Sequence, residues 1–177
     1  LIENTKYDMK KVIYIIFATL LFTSCAQEFN AVYKHTDYEY KYEFAKQCFA
    51  RGKYTQASTL LGELITIFKG TDRAEESLYI YAMSLYKDGD YEAASDAFKR
   101  CYTSYPKGMY TESAYFYAAE SLYESSPEPR LDQTPTMAAI KAYQDFLDIF
   151  PHTKRRSETH ERMIALQDKL VMKEYHS

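Results

Sequence analysis

The sequence predicts an all-α fold, about three helical hairpins stacked into a right-handed superhelix with one more helix at the end. Three observations carry this. The stretch from Gly89 and Tyr91 through Ala94 and Phe98 to Tyr105 and Pro106 reads as one helix with its entry turn and its stop. Its pattern recurs at a fixed spacing along the chain. Five glycines and five prolines in 177 residues are spaced as punctuation, which suits a helical array.

Each of those residues has a job. Gly89 permits a tight turn out of a preceding helix, small Ala94 lets two helices approach closely, and Phe98 fills the space one turn later. Pro106, lacking a backbone N–H, closes the helix. Moving back 37 residues takes Gly89 to Gly52, Tyr91 to Tyr54, Ala94 to Ala57, Phe98 to Leu61 and Tyr105 to Phe68. The same offset joins Ala45, Ala82 and Ala119, and also Cys48, Leu85 and Leu122, on the first helices of the hairpins. In the third unit the second helix, with Ala139, Tyr143, Phe146, Phe150 and Pro151, lies 45 residues on, so eight extra residues form a loop. A small residue, an aromatic and a proline at these spacings make the pattern of tetratricopeptide-like hairpins, which bury their apolar faces only by stacking.

In chain order, Met9 reads as the initiator, with residues 1–8 outside the natural protein. Met9-Lys10-Lys11, the apolar run from Val12 to Phe22, and Thr23-Ser24 before Cys25 form a basic region, an apolar region and a small-residue cleavage site. About 20 apolar residues are needed to span a bilayer, so this shorter run is an export signal. Small residues before a cysteine resemble a bacterial lipobox, although Phe22 stands where the common pattern has leucine. That resemblance implies acylation of Cys25, and Ala26 after it implies transfer to the outer membrane. Acyl chains contribute about 0.8 kcal/mol per buried methylene, enough for a lasting anchor when several are attached.

Residues 1–25 are thus read as extension and signal, 26–36 as a polar tether, and 37–177 as the repeat domain. Its repeats run over about 37–70, 71–107 and 110–151, with a terminal helix over 157–175 that has no second helix to pair with. Gly70 is placed to end the first hairpin in the left-handed conformation. Three prolines, Pro127, Pro129 and Pro135, forbid a helix through the loop from Ser125 to Thr136. Thr134 is expected to cap the helix that follows, with Pro135 at its first position.

Composition excludes several functions. With 22 basic and 25 acidic side chains, net charge −3, there is no electrostatic footprint for nucleic acid. The three cysteines and four histidines have no metal-ligand spacing, so no metal or cofactor is expected. Cys48 and Cys101 stand at apolar positions and are expected as buried free thiols. The chain is read as a non-enzyme, having no nucleophile elbow, no facing carboxylate pair and no glycine-rich phosphate loop.

A peptide groove is the candidate site. Tyr42, Tyr79 and Phe116 are related by the 37-residue offset, as are Phe49, Tyr86 and Tyr123, and all six are aromatic. Both sets fall to one side of the alanine stripe on the first helices, which line the concave face of such superhelices. Rings there would suit a short extended peptide, since tyrosine offers apolar area and a hydroxyl at little entropic cost. The competing reading is that these rings pack one repeat on the next. Lys46 is a lone candidate for a peptide carboxylate, against the plainer reading of a solvated lysine.

Leu131-Asp132-Gln133 followed by Thr136, Ala139-Ile140, Tyr143, Phe146 and Pro151 resembles the most recognisable segment of the BamD family of outer-membrane assembly lipoproteins. Phe68 to Glu76, Asp90-Tyr91 and Leu166 to Leu170 are also similar to family positions. The resemblance covers Cys25 to the end, with Gln167 where the family often has arginine, and implies further repeats beyond these. It implies a lipid anchor on the periplasmic face of the outer membrane of a Gram-negative bacterium. The implied partners are a BamA-like insertase, other assembly-complex subunits and unfolded outer-membrane protein peptides, whose C-terminal aromatic signals the family's N-terminal repeats are associated with recognising. Another periplasmic tetratricopeptide scaffold lipoprotein, for example in cell-envelope division, would explain the signal and the repeats but not the Asp132-Gln133 segment.

Overall fold

The computed structural model describes residues 28–176. After a short helical segment over 28–33 come seven longer helices: α1 Tyr38–Ala50, α2 Tyr54–Ile67, α3 Ala74–Asp88, α4 Tyr91–Ser104, α5 Thr111–Glu124, α6 Thr134–Ile149 and α7 Arg156–His176. No strand occurs among the described residues. The chain divides into two compact units, the first ending at Phe44 and the second beginning at Ala45, a boundary inside α1.

In the first unit the expected polar tether contains a helical segment over 28–33. Phe29, Val32 and Tyr33 stand at positions i, i+3 and i+4, one apolar helical face. Val32 is buried and the Phe29 and Tyr33 rings stack with centroids 6.1 Å apart. The Asp37 carboxylate then accepts the Tyr40 N–H at 3.1 Å and opens α1.

In the second unit each helix from α2 to α7 packs on its neighbours in sequence, the nearest-neighbour order of a tetratricopeptide-like stack. Burial follows the repeat spacing. Ala45, Ala82 and Ala119 on the first helices and Ala57, Ala94 and Ala139 on the second are all fully buried. Small side chains at the crossings let the backbones approach, and Leu61, Phe98 and Tyr143 fill the space one turn further. Two cores result. One joins α3, α4 and α5 around Leu78, Phe98 and Cys101; the other joins α5, α6 and α7 around Phe116, Tyr143, Phe146 and Leu166. Each combines a hairpin with the first helix of the next, so successive hairpins share their burial.

Turn chemistry sets the boundaries. Gly52 and Gly89, in equivalent turns, have φ of 74° and 88°, where a side chain would strain the backbone. Asp90 accepts the Ala93 N–H at 3.3 Å and caps α4. In the long loop the helix stops after Glu124 and resumes at Thr134. The cap there differs from the sequence expectation: Gln133, not Thr134, holds the N-cap position, and Pro135 lies within the first turn. Asp132 takes both the Thr134 N–H at 3.2 Å and its hydroxyl at 3.0 Å, which ties the Thr134 side chain back to the loop. Those bonds hold the Asp132 carboxyl below its ordinary value. Cys48 and Cys101 are buried free thiols, and burial, aided by Glu75, pushes Cys101 up to about 12.

Candidate functional site

Cys25, the expected lipid attachment point, lies outside the described residues. The six expected groove rings divide. Tyr42 is 0% exposed and Phe116 1%, so neither presents a surface to a peptide, which corrects the sequence expectation for these two. Phe116 is held between helices, with the Tyr143 and Phe146 rings of α6 at 6.3 and 5.6 Å. Side chains on a helix lean over the turn before them, which carries a ring beside the alanine stripe into the helix–helix seam.

Phe49, Tyr79, Tyr86 and Tyr123 are half-buried. Three of them reach towards the next first helix. Tyr79 of α3 stacks on Tyr110, the residue before α5, at 4.5 Å. Tyr86 meets Tyr117 of α5 edge-on at 5.4 Å, and its hydroxyl is pushed up to about 12 by burial and by the nearby Glu120 and Glu124. Tyr123 of α5 lies under the Arg162 guanidinium of α7 at 4.7 Å, with the Lys169 ammonium at 5.7 Å.

Carboxylates rivet the same seams. Glu75, in the first turn of α3, accepts the Tyr110 N–H at 2.8 Å; Glu112, its equivalent 37 residues on, accepts the Thr153 hydroxyl at 2.7 Å. Gly108 leaves room for the first rivet, because a Cβ there would push the Glu75 carboxylate aside. Glu120 of α5, only 3% exposed, accepts the Tyr143 hydroxyl and pairs with Arg162, Nε to Oε1 at 3.1 Å and Nη2 to Oε2 at 3.4 Å. Burial and the Glu120 bond push the Tyr143 hydroxyl far above its ordinary value.

The Asp132-Gln133 segment acts as a latch. Gln133, 3% exposed, donates to the carbonyls of Glu128 at 2.8 Å and Leu131 at 3.1 Å. It accepts the Thr136 hydroxyl at 2.7 Å, which itself meets Ser126 at 2.7 Å. Lys169 of α7 donates to the Ser126 carbonyl and hydroxyl at 3.3 and 3.2 Å. One chain of hydrogen bonds thus ties loop, α6 and α7 together, satisfying polar groups that burial would otherwise penalise.

Sequence reasoning missed Glu75, Glu112, Glu120, Arg155 and Arg162. The signal was present. The 45-residue offset continues into α7, pairing Tyr110 with Arg155 and Tyr117 with Arg162, and marks α7 as another first helix.

An open groove of about 600 Å³ lies where the loop after α6 meets the start of α5, lined among others by Met109, Glu112, Ile149, Phe150, Lys154 and Arg155. Among the described residues no group of histidine, cysteine, aspartate and glutamate side chains could hold a metal ion.

A stack of hairpins locked by rings, rivets and buried polar bonds, with open grooves at its edges, defines a helical-repeat scaffold of the tetratricopeptide kind. No helix among the described residues is long and apolar enough to cross a membrane. The chain belongs to the YfiO family of outer membrane lipoproteins, whose model matches residues 34–177. The outer membrane protein assembly factor BamD of Rickettsia prowazekii (strain Madrid E) is 25% identical to it over 122 residues, 69% of this chain and 49% of that protein. The chain therefore spans about half the length of this curated relative.

Proposed function

We propose that the chain works on the periplasmic face of the outer membrane as a lipid-anchored scaffold of the β-barrel assembly complex. It receives segments of unfolded outer-membrane proteins and holds partner subunits, among them a BamA-like insertase. The observation that carries this reading is the family match over residues 34–177, with a relative named as an assembly factor. The exposed parts of Phe49, Tyr79, Tyr86 and Tyr123 supply apolar area, and the three tyrosines add hydroxyls, for an extended segment. Cys25 is the proposed acylation site.

Capture of the native protein from outer membranes, followed by mass identification of what accompanies it, tests the reading. Barrel-assembly subunits are the expected companions; cell-division proteins in their place overturn it. Intact-mass measurement checks the anchor separately. An unmodified Cys25 thiol in the mature chain overturns acylation.

A further inference from the structure

Most of the stretch expected as a polar tether has a shape of its own: the helical segment over 28–33 and the turn after it lead directly into α1. Rings gather there. Phe29 stacks on Tyr33, and the Lys41 ammonium of α1 lies 5.8 Å from the Tyr33 centroid and 5.7 Å from that of Tyr38. Lys41 is only 3% exposed, whereas Tyr33 is 47% and Tyr38 42% exposed. A cation shared between two rings holds them together without covering their outer surfaces.

The later hairpins use the same position differently. The 37-residue offset carries Tyr38 to Glu75 and then to Glu112, the two rivet carboxylates. An exposed ring therefore replaces a hydrogen-bond acceptor at the start of α1, and what it suits is a boundary between apolar and polar surroundings.

Chain length says which boundary is within reach. Phe29 follows Cys25 by four residues, which span at most about 14 Å even when fully extended. The headgroup layer on one side of a bilayer is about 5–8 Å deep, so acyl chains on Cys25 would keep this segment beside the lipid. Tyrosine suits that layer, its ring at the edge of the hydrocarbon and its hydroxyl among the headgroups. Charge does not supply the attraction: residues 28–43 hold four acidic side chains against two lysines, the reverse of a patch for anionic lipid.

We propose that Phe29, Tyr33 and Tyr38 form a membrane-interface site that seats the first unit on the phospholipid bilayer holding the Cys25 acyl chains. The proposal rests on acylation of Cys25, and adds that α1 starts docked on lipid instead of swinging from a tether.

The test uses the membrane-extracted protein reconstituted in phosphatidylcholine vesicles whose acyl chains carry bromine near the headgroup, because bromine quenches indole fluorescence on contact. The chain has no tryptophan, so Tyr33→Trp and Tyr38→Trp each place a single reporter in the patch. Met109→Trp, at a position 85% exposed in the second unit, places one outside it. All three sites are exposed, so the variants should fold normally. The two patch reporters should lose about half of their emission or more to brominated lipid, and Met109→Trp almost none. High salt should leave that loss unchanged, since rings and not charges make the contact. Intact mass on the same samples reads the anchor. Acylated protein whose patch reporters are quenched no more than Met109→Trp overturns the proposal and leaves the anchor standing. An unmodified Cys25 overturns both. Quenching that high salt abolishes also overturns it. So does patch emission that shifts to the blue only when purified barrel-assembly subunits are added, which assigns the rings to a protein partner.

Discussion

The seam between α3 and α5 and the seam between α5 and α7 occupy the same place in successive repeats, yet different forces hold them. At the first, rings meet rings, Tyr79 on Tyr110 and Tyr86 on Tyr117, and Met83 fills the centre. At the second, Phe116 and Tyr123 keep the ring positions while Arg155 and Arg162 replace the opposing tyrosines, and Glu120 stands where Met83 stood. Apolar packing tolerates small shifts. A buried carboxylate does not, because its ion-pair and hydrogen-bond partners must stay in reach or the desolvation cost is left uncompensated. The repeat thus fixes the geometry of a seam but not its chemistry, and the outer seam is specified more tightly and is more exposed to disruption by single substitutions.

The largest effect is expected where the inner seam and a hairpin core coincide. Phe98 is fully buried and touches both Tyr79 and Tyr117, at 5.9 and 5.7 Å. Phe98→Ala should cost about 3–5 kcal/mol of stability, read as a lower urea midpoint. Next comes the outer seam. Arg162→Ala strands the Glu120 carboxylate and should cost about 3 kcal/mol, nearer the low end for such pairs because Arg162 is partly exposed. Converting the outer seam to the inner pattern sharpens the comparison. The triple substitution Glu120→Met, Arg162→Tyr and Tyr143→Phe should be neutral or stabilising by up to about 2 kcal/mol. A loss as large as that of Arg162→Ala would show that the ion pair is a net stabiliser here.

The rivets should give smaller and unequal effects. Glu75→Ala leaves a partly buried backbone N–H without its acceptor and should cost about 1–2 kcal/mol. Glu112→Ala removes an exposed bond to Thr153 and should cost about 0.5 kcal/mol or less. Equal costs in the same urea series would contradict the burial difference between the two seams.

The mildest test is alkaline pH. An unfolded tyrosine releases its proton near 10, whereas Tyr86 keeps it to about 12 in the fold. Between those values the unfolded chain binds fewer protons, so stability is complete below pH 10 and falls as pH rises towards 12. Tyr143, also raised, adds to the same loss at the outer seam. Comparing urea midpoints at about pH 9 and about pH 11.5 should show a smaller drop in Tyr86→Phe and in Tyr143→Phe than in the parent chain.

Much of the architecture was legible in the sequence because it depends on local rules. Helix ends follow Gly52, Gly89, Pro106 and Pro151, and the alanine stripes and Leu61, Phe98 and Tyr143 repeat at spacings of 37 residues, lengthened to 45 where the loop is inserted. The loop latch was visible as a segment but not as a latch, since nothing local tells that Gln133 turns inward to the Glu128 and Leu131 carbonyls. The short helix over 28–33 was missed because Phe29, Val32 and Tyr33 form an apolar face too brief to stand out among polar neighbours.

What the sequence determined by itself was the repeat, its register and the residues that must be small or large at each crossing. Those depend on contacts within one hairpin, between positions that a fixed period relates. Tertiary structure alone decided which faces were seams. Whether a ring such as Phe116 is buried or presented depends on the helix that follows, and the eight-residue loop insertion shifts that helix's partners out of the 37-residue register. Glu120, Arg162 and Tyr143 come from three helices and meet only when two hairpins stack. Their pairing is a long-range property, fixed by how helices dock and carried by no local pattern.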